Sequence, residues 1–562
     1  MTLRALLLAA TMLAPAAASA QGTAGPYLSA RIAGFSNDYA TAAEQYARLL
    51  RGENLPASAI ESAVLVFGAL GRFDEGAEAA ERMILAGQPS RFGNGVRAVA
   101  ALAAGEWDDA ATILDEPDGV GGALLDGLLR AWLETARGDA AAADAALDLL
   151  TETDSFASFA HYHRALIRAL EGDYAGAEEL LSGDAEGPLQ LSARGVEAHA
   201  QVLVELDRRD DALDLLDQAG DLTNSPVLSD LHDRIEAGED VAFDHIRRAE
   251  DGMAEAFYTI SAILAGETSP TFTLINAQAA IALRPDHIDA LVLAADLLED
   301  QSQYDLAAAI LRRVPADHPA YHAAEAARAE ILLSAGSEEA AMEVLRGLTR
   351  SRGDDAAVWV ALADTQRRLE QFAPAADSYT RAIELHDEIG PEHWFLFYAR
   401  GIAYERTDRF DRAEADFRRA LELNPDHPLV LNYLGYSLVE ERTKLDEALD
   451  MIERAVAARP DDGYITDSLG WVFYRLGRFE EAVEPMEKAV QLEPLDPLIN
   501  DHLGDVYWQV GREREARFQW RRALSLEPEE GEVGRIRRKL DEGLDAVLES
   551  EGGVGAQESA GD

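Results

Sequence analysis

The chain has 562 residues, 48% of them hydrophobic and 27% charged, so it can bury a sizeable core and is not a disordered acidic polymer. Its 103 acidic and 50 basic residues give a net charge of −53, which repels nucleic acid and anionic lipid over most of the surface and excludes a nucleic-acid-binding role. There is no cysteine, which removes disulfides, thiol catalysis, lipid attachment through a thiol and Cys-ligated zinc.

The first stretch, "MTLRALLLAATMLAPAAASAQG", has one cation (Arg4), an apolar run and then Ala18-Ser19-Ala20 before Gln21. It reads as a secretory signal peptide over residues 1–20, so the chain is expected to be exported, to the periplasm in a Gram-negative cell. The run is short for a bilayer and no later segment offers about 20 uninterrupted apolar residues, so no transmembrane segment is expected. From residue 21 to 285 the chain is rich in alanine and reads as helix, as in "GDAAAADAALDLL" (Gly138 to Leu150). Turn-plus-helix units recur there in "LGRFDEGAEAAERMI" (Leu70 to Ile84), "AGEWDDAATIL" (Ala104 to Leu114), "EGDYAGAEELL" (Glu171 to Leu181) and "LDRRDDALDLL" (Leu206 to Leu216).

Between 286 and 530 the repetition becomes regular. Pro285 and Pro319 bracket a unit carrying Ala295, Tyr304, Ala307 and Leu311, and a further unit carries Trp359, Ala363, Ala375, Tyr379 and Ala382. Gly401, Gly435, Gly470 and Gly504 then recur at steps of 34, 35 and 34, and Pro425, Pro460, Pro494 and Pro528 at 35, 34 and 34. A fixed period near 34 predicts an array of helical hairpins, each closed by its proline. Within one unit, Gly470 and Ala482 lie equally far from Leu476 and are expected to face each other across the hairpin, where enlargement would overpack the contact. After Pro528, Ile536, Leu540, Leu544 and Leu548 fall four apart and predict an amphipathic capping helix over 531–549. The basic run "RIRRKL" (Arg535 to Leu540) reads as a solvated face of that helix, and residues 550–562 as a disordered tail.

Leu503-Gly504, Tyr507, Ala516, Trp520, Ala523 and Pro528, with Gly401, Tyr404, Ala413, Phe417, Ala420 and Pro425, resemble the tetratricopeptide repeat family. The resemblance implies an all-α, superhelical array of antiparallel helix-turn-helix repeats, about fourteen in all, whose first helices line a concave groove. Carried onto this sequence, exposed groove positions are expected three residues before each glycine (Tyr398, Asn432, Asp467, Asp501) and one residue after it (Ile402, Tyr436, Trp471, Asp505). Tyr474, Arg475, Trp508 and Gln509 continue the stripe. Aromatic anchors among carboxylates suit a protein or peptide partner whose segment carries Lys or Arg. The family's carboxylate clamp uses Lys and Asn, and Asp467 and Asp501 depart from it.

No HExxH, GxSxG or GxxxxGK[ST] motif occurs, and "GVGG" (Gly119 to Gly122) reads as a loop. His161 and His163 point about 200° apart on a helix, and His318 and His322 are separated by Pro319 at a repeat boundary, so neither pair predicts a metal site. No catalytic residue, metal or cofactor is expected. The reading is a non-enzymatic scaffold or adaptor of the bacterial cell envelope, with a spacer subunit of an envelope assembly or polysaccharide-export machine as the alternative.

Overall fold

The computed structural model describes residues 24–52, 55–183, 191–219 and 225–551; the expected signal peptide and nearly all of the expected tail lie outside them. Among the described residues there is no strand, and most of the helices pair with a neighbour in sequence as antiparallel hairpins. The chain divides into two compact units, Met1–Val344 and Leu345–Asp562, with the boundary inside the helix Glu338–Ser351.

In the N-terminal unit six hairpins run from Ala24 to Gln218, followed by the single helix Pro226–Glu236. The next hairpin, Ala249–Leu264 and Pro270–Leu283, then turns back on the first helices of the earlier ones. Ala249–Leu264 packs on Ala123–Arg137 and Asp154–Leu170, while Pro270–Leu283 packs on Ala57–Ala69 and Arg91–Ala104. The sequence of Pro270–Leu283 allows this, because the helix carries no charged residue and is mostly apolar or small all round. Thr273, Leu274, Asn276, Ala277, Gln278, Ala279, Ala280, Ile281 and Leu283 are all buried. At the closest approach the ring of Trp132 lies where a Cβ on Gly252 would be, 2.3 Å away, and the Trp132 Nε1–H donates to His163 Nδ1 at 2.9 Å.

The C-terminal unit holds four hairpins of one register: Trp394–Glu405 with Phe410–Leu423, Pro428–Glu440 with Leu445–Ala458, Gly463–Arg475 with Phe479–Leu492, and Pro497–Gln509 with Glu513–Ser525. They are named here by their glycines. Each glycine admits a large side chain of the second helix: a Cβ would stand 2.6 Å from Phe417 at Gly401, 2.7 Å from Ile452 at Gly435, 2.5 Å from Met486 at Gly470 and 2.4 Å from Trp520 at Gly504. The expected Gly470–Ala482 facing pair is therefore corrected to Gly470–Met486. Helical side chains lean toward the helix N-terminus, so Met486 reaches back one turn and covers the level that Ala482 occupies by count alone. The turn itself is closed by Gly477 at φ +73°, with Arg478 N–H donating to Phe473 O at 2.9 Å.

The capping segment forms two helices, Glu530–Glu542 and Leu544–Ser550, broken at Gly543 with φ +87°. Ile536 and Leu544 are buried, as the four-residue spacing requires.

Gly504→Ala is expected to cost about 1–3 kcal/mol, because Trp520 must leave its site against the first helix. Gly531→Ala, where nothing lies within 4 Å, is expected to be neutral or stabilising by up to about 1 kcal/mol. Urea unfolding of the two variants against the parent checks the difference.

Candidate functional site

The first helices of the Gly435, Gly470 and Gly504 hairpins touch one another side by side, and the residues expected to line the groove fall on that face. At the Gly401 end the face is aromatic and half-buried. Tyr398 sits among Trp394, Phe417 and Tyr433, with ring centroids 6.0, 6.1 and 5.8 Å away, and burial raises its phenol above the usual range. Asn432 and Tyr436 follow, also half-buried. The Tyr436 phenol is held high by burial and by the carboxylates of Glu440 and Asp467.

Around Gly470 the predicted residues are brought together, but they bond to one another and to their neighbours. Trp471 stacks on Tyr474 (4.7 Å, 6°) and on His502 (3.9 Å, 11°), and its Nε1–H donates to Glu440 Oε1 at 2.7 Å. Asp467 is buried and lies 3.0 Å from His502 Nδ1. Burial lowers the His502 pKa, yet Asp467 and the nearby aspartates outweigh it, so the imidazole is held above its usual value. Protonated, it pairs with Asp467 and presents a cation to the face of Trp471. Arg475 reaches the Glu440 backbone oxygen at 3.3 Å and lies over the Trp471 ring.

At the Gly504 end the chain closes its own face. Lys539, from the helix Glu530–Glu542, is fully buried between Asp501 (Nζ–Oδ2 2.6 Å) and Asp505 (Nζ–Oδ1 2.7 Å), and Asp505 also accepts the Trp520 Nε1–H at 2.9 Å. Burial and the neighbouring Asp505 carboxylate raise the Asp501 pKa to about 6 against the pull of Lys539. Trp508 is half-buried under the break between the capping helices. Its Nε1–H donates to Asp545 Oδ2 at 3.1 Å, and its ring lies 2.8 Å from where a Gly543 Cβ would stand.

Two expectations are corrected here. Asp467, Trp471, Tyr474, Asp501 and Asp505 are buried rather than exposed, because each neighbouring first helix covers the one before it. The "RIRRKL" run is a solvated face only in part: Arg537 is exposed, but Lys539 and Arg535 turn inward to the two aspartates. Sequence reasoning missed Glu440, His502 and Lys539. The period held the signal for the last, since Lys539 stands 34 residues after Asp505 and so occupies the same position on the next first helix.

Family models described as tetratricopeptide repeat match residues 292–356, 394–427 and 434–497. The chain is similar to the TPR repeat-containing protein PA4667 of Pseudomonas aeruginosa, 31% identical over 157 residues, which cover 28% of this chain and 26% of that protein. It is also similar to anaphase-promoting complex subunit 3 of Schizosaccharomyces pombe, 31% identical over 87 residues, covering 15% of this chain and 12% of that protein. Among solved structures, the APC/C hetero-tetramer Cut9-Hcn1 aligns over 82% of this chain and 98% of that one at 16% identity and a TM-score of 0.37. A tetratricopeptide repeat protein from Parabacteroides merdae aligns over 51% of this chain and 97% of that one at 17% identity and a TM-score of 0.36.

Lys539→Met is expected to loosen the capping helix by about 3–5 kcal/mol, because it leaves two buried carboxylates without their cation. Adding Asp501→Asn and Asp505→Asn should restore most of that. Hydrogen exchange of the amides of Glu530–Glu542 reads both. The same amides are expected to open more easily as pH rises. Asp501 and His502 both have folded pKa values above their unfolded ones, so each stabilises fully below the unfolded value. That contribution fades as pH climbs through the folded value, from about 4 to about 6 for Asp501 and above about 6.5 for His502.

Proposed function

We propose that this chain, a tetratricopeptide repeat protein, is a non-enzymatic scaffold of the bacterial cell envelope that receives a protein or peptide partner on the first-helix face of its C-terminal unit. Tetratricopeptide repeats are protein-interaction modules, and residues 394–427 and 434–497 of this unit match their family models. The observation that carries the assignment to one face is the contrast between the two units. In the N-terminal unit four first helices, Ala57–Ala69, Arg91–Ala104, Ala123–Arg137 and Asp154–Leu170, are covered by the chain's own hairpin Ala249–Leu283. In the C-terminal unit the capping helix closes the face only at its Gly504 end, and Tyr398, Asn432 and Tyr436 further along it are half-buried. Export is supported by the leader-like sequence of residues 1–20.

A photo-crosslinking residue placed at Tyr436 and, separately, at Phe518, an exposed residue of a second helix, tests this in the cell envelope. A specific crosslinked protein from position 436 and none from 518 is the expected result. The same set of products from both positions would contradict a groove and leave a spacer subunit as the reading.

A further inference from the structure

We propose that the helix Ala24–Phe35, with which the described array begins, seats the protein on the surface of a bilayer that carries anionic lipid. The proposal goes beyond the scaffold reading, because it gives the chain a second contact, with lipid, away from the face that receives a protein.

In a helix that packs on one side, large apolar side chains face the core and small or charged ones face water. Ala24–Phe35 is built the other way round. Its buried positions are Ala30 and Ala33, whereas Leu28 is 61% exposed, Ile32 60% and Phe35 78%. These three fall at i, i+4 and i+7 and form one stripe along the helix. The capping helix Glu530–Glu542 shows the ordinary solution, with Arg537, Asp541 and Glu542 exposed. A repeat array needs a polar outer face at each end, and here the outer face of the opening helix is apolar.

Charge identifies what covers the stripe. The chain holds 103 acidic residues, yet none precedes Asp38, and the charged side chains in that stretch are Arg4 and Arg31. Asp38 turns to the next helix, where it accepts Thr41 N–H at 3.0 Å, and Glu44 pairs with Arg48 at 2.6 Å. Arg31 is exposed and forms no ion pair among the described residues. Its guanidinium lies 5.9 Å from the Tyr27 ring centroid and 5.2 Å from that of Phe35, so a free cation stands at the edge of the apolar stripe. That arrangement lets the apolar side chains enter the boundary between headgroups and acyl chains while the cation meets a lipid phosphate. On the same side a cavity of about 370 Å³ is lined by Tyr27, Phe35, Tyr46, Phe92 and Phe272, and tyrosine rings settle at headgroup level. Cleavage of the expected leader after Ala20 adds an α-ammonium group three residues before Ala24.

The acidity of the remaining chain does not forbid the contact. Charges are screened beyond about 8 Å at physiological ionic strength, and a helix with its side chains is about 10 Å across, so most of the acidic surface stands behind the screening distance. A second copy fits the stripe less well. It brings the same net charge of −53, and three side chains on each helix fall short of the roughly 1,200 Å² that a specific interface buries. Among the described residues no helix is long and apolar enough to cross a membrane, so the contact is with the surface.

Flotation of the processed chain, from Gln21 onward, tests this with vesicles of phosphatidylethanolamine and phosphatidylglycerol and with vesicles of phosphatidylcholine alone. The chain is expected to float with the anionic vesicles, and Leu28→Ser with Ile32→Ser and Phe35→Ser to weaken that binding at least tenfold. Arg31→Glu is expected to remove the preference for anionic over neutral vesicles. All four substitutions are at exposed side chains, and circular dichroism verifies the fold. No flotation, equal flotation of the parent with the two kinds of vesicle, or equal flotation of the triple variant and the parent would overturn the proposal. A dimer in light scattering that the triple variant dissociates, without flotation, would give the stripe to a second copy instead. None of these results changes the crosslinking expected from Tyr436, which reads the partner face by itself.

Discussion

The close approach of a glycine on each first helix to one large side chain on its partner holds the C-terminal unit together. Phe417, Ile452, Met486 and Trp520 each occupy space that a Cβ would claim. Because the contact recurs at steps of 34 and 35, successive first helices meet in the same register and bury the same positions on one another. Trp471 on His502 and Lys539 between Asp501 and Asp505 are instances of that single rule, in which each first helix, the capping helix included, completes the one before it.

The two units use the face so created in opposite ways. The N-terminal unit spends it internally. The hairpin Ala249–Leu283 lies against four first helices, and a small residue at Gly252 lets Trp132 close the contact. The C-terminal unit closes its last turn with a buried lysine and leaves single side chains in the first turns, Phe395, Tyr464 and Leu498, open to solvent. A buried lysine is an expensive cap unless both counter-charges are in place, and here they are, within 2.8 Å. The acidic stripe that looks like a partner site from its composition is thus satisfied from within, and the residues that stay open, Tyr464 and Leu498, lie one to two turns earlier on the same helices.

Much of this was legible in the sequence. Gly401, Gly435, Gly470 and Gly504 with their prolines fix the hairpins and their ends, and the turn-plus-helix units before Pro285 foretell the earlier ones. Equidistance from the turn misplaced the partner of Gly470, because it ignores the N-terminal lean of a helical side chain and so passes over Met486. The state of Asp467, Asp501 and Asp505 was hidden because their partners come from the next first helix, 34 to 38 residues away, and local charge patterning around Arg535–Leu540 suggested a wet surface instead. The inward return of residues 249–283 left only one trace, a helix apolar or small on every side, which by itself names no neighbour.

The central claim is that the first-helix face is open six residues before Gly401, Gly470 and Gly504 and buried directly after Gly470 and Gly504. Hydroxyl-radical footprinting of the free protein, read residue by residue by mass spectrometry, measures this directly. Fast oxidation of Phe395, Tyr464 and Leu498 with slow oxidation of Trp471, Tyr474 and Trp520 is the result predicted. Fast oxidation of Trp471 and Tyr474 beside protected Tyr464 and Leu498 would contradict it.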